Sequence, residues 1–182
     1  MTTMAIPLLD AYEERRWFVV YVEPSREQLS AKLLAENGYE VYLPTYQKRV
    51  ERCAIWTTIT LPLFSRYVFC RLTSTITHRV IGTPGVVRLI GFSEGSGAID
   101  DREIQLLKKL VEMGASPFQD SLSQDLSAGS CVRIRSGPLT GMTGILVRTK
   151  ETHRVVMTLE LIQKSISIEI DYRDVEICAK HP

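Results

Sequence analysis

Four cysteines and three histidines are the side chains best suited to nucleophilic or metal chemistry, and their spacing argues against both. Cys53, Cys70, Cys131 and Cys178 lie far apart, with none of the close pairing of a zinc knuckle or a redox dithiol. His78, His153 and His181 sit near no Asp, Ser or Cys pattern that reads as a triad or a metal site. No catalytic residue, metal or cofactor is expected, so binding chemistry is the better starting point. Trp17 and Tyr21 fall in one strand-like run, Tyr67 and Phe69 in another, with Phe64 at the entrance of the second. Large aromatics gathered on a sheet face that lacks covering helices are costly to leave in water without a partner. Base stacking is one use of such a face. Ser65-Arg66-Tyr67-Val68-Phe69 has two aromatics two residues apart, yet lacks the glycine that an RNA recognition strand carries there. An apolar protein partner is therefore preferred, with an RNA-binding module as the alternative. Arg15, Arg16 and Arg26, and further on Lys48, Arg49 and Arg52, offer basic patches, but Glu13, Glu14, Glu27 and Glu51 are interleaved with them. Contact with phosphates through these patches would be weak and salt-sensitive.

Composition narrows the class further. The 182 residues, 45% apolar and 24% charged, suffice for one medium domain or two small ones. Lys and Arg number 22 against 21 for Asp and Glu, so a net charge of +1 argues against attachment to nucleic acid by bulk positive charge. The longest uncharged apolar stretch, Ile55 to Phe64, is about half of the roughly 20 residues that a membrane helix requires, and it contains Pro62. No membrane association is expected. The N-terminal stretch has no basic leader, and Pro7 and Asp10 interrupt its apolar run, which predicts a cytoplasmic protein.

The elements that must position these residues are legible in outline. WFVVYV, Trp17 to Val22, reads as a central strand, apolar on both faces. Ser25 followed by Gln28 is a capping-box pattern opening a helix over about Arg26 to Asn37, with Leu29, Leu33 and Leu34 as its apolar stripe. A strand pattern resumes from Tyr39 to Tyr46, interrupted by Pro44, and the chain is then polar and basic to Arg52. Strands over Ile55 to Leu63 and Tyr67 to Leu72 follow, then a short helix from about Ser74 to Ile81 and a strand over Val86 to Ile90. Asp100 caps a further helix whose Ile104, Leu107, Leu110 and Val111 share one face, and Gly114 ends it. This order is that of an α+β, ferredoxin-like split βαβ sheet with helices on one face. A stretch rich in Ser, Gly, Asp and Gln, residues 114–127, reads as a linker. Beyond it lie five short alternating runs: Cys131 to Arg135, Gly144 to Thr149, Val155 to Leu161, Ser165 to Ile170 and Asp174 to Ile177. They predict a small β-barrel of SH3-like size. Ile166, Ile168 and Ile170 repeat with period two, which a helix would scatter around its circumference. The expected organisation is a flexible N-terminus over 1–14, a first domain over 15–113, a linker over 114–127 and a second domain over 128–182.

Within the second domain, VRIRSGPLTGMTGILVR, Val132 to Arg148, has the strand, Gly-Pro turn, polar loop and glycine-opened strand of a KOW motif. With WFVVYV, PLFSRYVFCRL and TPGVVRLIG in order before it, the chain resembles the NusG-type transcription elongation factors, an NGN domain followed by a KOW domain. The resemblance implies an elongation and antitermination factor that binds RNA polymerase across its cleft and suppresses pausing or termination. It places the polymerase clamp contact on Tyr21, Phe64, Tyr67 and Phe69, with Trp17 as support, and the gate-loop contact on Thr77 and His78. It also places Arg26 and Gln28 near non-template DNA, and Ile162 in the KOW loop that meets a small-subunit ribosomal protein or the termination factor Rho. A monomer is expected. Where the family has Phe-Pro-Gly-Tyr, this chain has Phe64-Ser65-Arg66-Tyr67, a departure that looks more like the specialised RfaH-type and polysaccharide-operon paralogues.

Overall fold

A computed structural model describes residues 15–73, 77–91, 97–117, 130–148, 153–159 and 164–178. The chain divides into two compact units, one drawn from the residues up to Leu43 together with Ser65–Ile104, the other from Pro44–Phe64 together with Gln105 onward.

The first unit is built on β1 (Arg16–Val22), α1 (Glu27–Glu36) and β2 (Glu40–Tyr42). Its sheet order is completed by the later strands β5 (Tyr67–Leu72) and β6 (Val86–Ile90), so that the strands run β2-β5-β1-β6, all antiparallel. This is the split βαβ order that the sequence predicts. Alternate residues Phe18, Val20 and Val22 of β1 and Val68, Cys70 and Leu72 of β5 are buried with Leu34 of α1 and with Val80 of α2 (Thr77–Ile81). Burial pushes the Cys70 thiol up to about 12, with Glu40 adding to the shift, so this cysteine behaves as a small apolar side chain.

The start of α1 differs from expectation. Ser25 has φ +59, Arg26 occupies the cap position, and no side chain caps the helix, so the Ser25–Gln28 capping box does not form. The buried face runs through Glu27, Ser30 and Leu34, while Leu29 is 39% exposed. Residues three and four apart share a helix face, and Leu29 falls outside the row that these three define. Ser30 is buried because the loop before β6 comes close: a Cβ on Gly85 would lie 2.6 Å from Ser30 Oγ, and Gly85 has φ +86. Gly85→Ala adds a left-handed backbone penalty to this clash and is expected to destabilise the first unit by about 2 kcal/mol, read from the urea midpoint. At the second long helix, α3 (Asp101–Glu112), the expected cap is present: Asp100 Oδ1 accepts from the Arg102 amide at 2.7 Å. Ile104, Leu107 and Leu110 of α3 are buried.

The second unit contains a hairpin that the sequence reading divides differently. β3 (Thr45–Arg52) pairs along its length with β4 (Ile55–Pro62), so the polar stretch up to Arg52 is strand. Cys53 and Ala54 take φ +51 and +62, the paired left-handed geometry of a two-residue hairpin turn. The hairpin end is exposed at Ile55 and Trp56, and Arg49 lays its guanidinium 4.9 Å from the Trp56 ring centre.

Five later strands match the five alternating runs: β8 (Ser130–Ile134), β9 (Thr143–Arg148), β10 (His153–Leu159), β11 (Lys164–Glu169) and β12 (Val175–Ile177). With β7 (Ser116–Pro117) they form a six-stranded antiparallel sheet of order β12-β8-β9-β10-β11-β7. β7 lies inside the stretch read as linker, where Ser116 opposes Ser167 and Pro117 opposes Ile166. Proline is tolerated there because the strand is at the sheet's edge. Val132, Ile134, Val147, Val155, Met157, Ile166 and Ile168 are buried, whereas Ile145, Ile170 and Val175 are half-buried.

Candidate functional site

Odd-numbered residues of β1 point away from the α1 side of the sheet, and the register sets their neighbours. Tyr21 is opposite Tyr67 on β5 and Arg88 on β6; Val19 is opposite Phe69 and Ile90; Trp17 is opposite Arg71. The clustering of Trp17, Tyr21, Tyr67 and Phe69 on one face therefore follows from period two plus register.

This face is not bare. Trp17, Val19 and Phe69 are exposed by 2% or less, and Phe64 by 3%. Ile99 forms a bridge to Trp17, its amide donating to the Trp17 carbonyl at 2.8 Å, and Tyr42 packs its ring 6.2 Å from that of Phe69. Tyr21 and Tyr67 are half-buried, with ring centres 5.4 Å apart and planes tilted by 57°. Of the four residues expected to dock on the polymerase clamp, these two present surface, and Phe64 and Phe69 belong to the interior.

Arginines that the aromatic count does not reveal complete the site. The Arg66 guanidinium lies 4.2 Å from the centre of the Tyr21 ring, and that of Arg88 lies 5.4 Å from it. Arg66 Nε also donates to the Val22 carbonyl at 3.2 Å, while its backbone amide donates to the buried Glu27 carboxylate at 2.8 Å. Arg66 has φ +72. A left-handed residue other than glycine costs about 1 to 2 kcal/mol, which explains why a glycine suits this turn. Here two hydrogen bonds at about 1 kcal/mol each and a cation–π contact of similar size offset that cost. The signal that could have found this arrangement is the arginine at the family's glycine position. Glu27 carries no comparable signal, since a helix-start glutamate ordinarily reads as solvated.

The other predicted site residues are dispersed. Arg26 and Gln28 are exposed at the start of α1, and Arg26 faces Glu23 at 3.9 Å. Thr77 and His78 open α2, but their side chains lie outside the described residues, as does Ile162 altogether. Among the described residues no group of three or more His, Cys, Asp or Glu is placed to hold a metal ion. Nor is any helix long and apolar enough to cross a membrane.

A ferredoxin-like sheet with a tyrosine pair and guanidiniums on one face, accompanied by a β-rich C-terminal part, defines an α+β protein. Residues 15–108, just over half of the chain, match the family model described as "Transcription termination factor nusG". The chain belongs to the NusG family of transcription factors. It is 22% identical over 178 residues to the transcription termination/antitermination protein NusG of Buchnera aphidicola, covering 90% of this chain and 97% of the relative. It is 29% identical over 117 residues to the NusG of Campylobacter jejuni, covering 63% of this chain and 64% of the relative. In fold it is similar to a solved structure of Thermotoga maritima NusG, with a TM-score of 0.59 at 17% identity over 91% of this chain and 98% of the other.

Proposed function

We propose that this protein is an elongation and antitermination factor that binds RNA polymerase across its cleft and makes pausing or termination less frequent. The observation that carries the reading is the half-exposed Tyr21–Tyr67 pair, held on a sheet face within the residues that match the family. The mechanism is differential binding: a ligand that favours the closed clamp draws polymerase away from paused, open-clamp states. Tyr21 and Tyr67 supply the clamp contact, with Phe69 buried on the same face of the sheet. Thr77 and His78 reach the gate loop, and Arg26 and Gln28 approach non-template DNA. The C-terminal sheet forms the SH3-like KOW barrel, whose loop at Ile162 meets a small-subunit ribosomal protein or Rho. Arg66 at the family's glycine position supports assignment to a specialised paralogue.

Base stacking by the sheet aromatics is the weaker reading, because Arg66 and Arg88 already lie over the Tyr21 ring. A binding and transcription assay with purified core RNA polymerase tests the proposal. The expected result is retention of the protein on immobilised core enzyme and a shorter pause lifetime on a pausing template. Absence of retention, with pause lifetimes unchanged at saturating protein, would overturn it.

A further inference from the structure

The C-terminal sheet carries a pair of thiols that chain spacing conceals. β12 pairs with β8 so that Val175 opposes Ile134, Glu176 opposes Arg133 and Ile177 opposes Val132. One step further along this register, Cys178 faces Cys131, and the Cys178 amide donates to the Cys131 carbonyl at 2.8 Å. Burial first and the neighbouring Cys131 thiol second push the Cys178 thiol up, and both residues are half-buried. Directly opposed residues of a hydrogen-bonded antiparallel pair have Cα atoms about 5.5 Å apart, inside the roughly 4.4–6.8 Å range that a disulfide spans. No other cysteine has such a neighbour: Cys70 is buried opposite Phe18 and Val41, and Cys53 is exposed at the hairpin turn.

We propose that Cys131 and Cys178 are a redox modification site, a dithiol that a peroxide converts reversibly into a disulfide stapling β12 to β8. In the first step one thiolate attacks the peroxide oxygen, giving a sulfenic acid and, for hydrogen peroxide, one water after proton transfer. The second thiol then displaces the sulfenic hydroxyl as another water and forms the S–S bond. Two sulfurs are oxidised by two electrons in total, and the peroxide is reduced to two waters. β12 is a three-residue strand at one edge of the sheet with β8 as its neighbour, so the added bond closes the chain from 131 to 178 across that edge. The inference rests on register and hydrogen bonding, independently of the proposed polymerase contact.

The full chain carrying Cys53→Ser, which removes the exposed thiol, is treated with hydrogen peroxide in native buffer and, separately, in urea. Expected is an intact mass lower by two hydrogens, a peptide linking Cys131 to Cys178, and formation at least ~10-fold faster in native buffer than in urea. Dithiothreitol restores the parent mass, and the oxidised form melts at a higher temperature than the reduced one. Cys178→Ser abolishes both the link and the melting shift. Equal rates in the two solvents, oxidation of either cysteine only to the sulfinic acid, or recovery of both thiols unmodified would each overturn the proposal.

Discussion

Replacing Tyr67 with alanine is expected to weaken binding to core RNA polymerase at least about tenfold, while the melting temperature stays close to that of the parent. Truncating an aromatic that becomes buried in an interface commonly costs about 2 kcal/mol or more, and tenfold corresponds to about 1.4 kcal/mol. Tyr67 suits this test because it is half-exposed in the free protein, stacked obliquely on Tyr21. Phe69 does not. It is fully buried, and its replacement by alanine would cost about 3 to 5 kcal/mol of folding stability, so that a loss of binding would report unfolding. A titration showing parental affinity for a normally melting Tyr67→Ala protein would remove the tyrosine pair from the docking site.

Gly144→Val is expected to destabilise the C-terminal sheet by about 3 kcal/mol. A Cβ at this position would meet Val155 Cγ1 at 2.5 Å and the Val156 carbonyl oxygen at 2.8 Å, both nearer than a carbon can approach. The second contact is backbone, so repacking a side chain cannot relieve it, and β9 must move away from β10. Gly137 gives the contrast. It has φ +81 with open space around it, so Gly137→Ala meets only the backbone penalty of about 1 kcal/mol. Chemical denaturation followed by far-ultraviolet circular dichroism separates the two. Equal midpoints for both variants would show that β9 and β10 do not approach each other this closely.

Element identity was largely legible because burial writes a period into the chain. Ser165 to Ile170 alternates polar and apolar residues with period two, and β11 stands there. Asp100 announced the start of α3, since a short acceptor before an apolar row satisfies orphan amides. Local signals failed where a distant segment supplied the deciding contact. Ser25 and Gln28 spell a capping box, yet Ser25 turns left-handed and the Arg66 amide, 39 residues on from Glu27, takes the Glu27 carboxylate. The hairpin strand through Lys48, Arg49 and Arg52 was hidden because neither face is deeply buried, so no hydrophobic alternation marks it.

By itself the sequence determined most of the strand and helix order, the aromatic cluster on β1 and β5, and the motif order that identifies the family. These are properties of residue type and of spacing along one chain, and local sterics together with period-two burial are enough to express them. Tertiary structure decided which aromatics present surface, leaving Tyr21 and Tyr67 half-exposed and taking Phe64 and Phe69 inside. It also decided that Arg66 and Arg88 meet over Tyr21, and that Cys131 and Cys178 face each other across a ladder. The physical reason is the same in each case: exposure and proximity depend on strand register and on segments far away in sequence, and a one-residue shift of register would change every one of these partners.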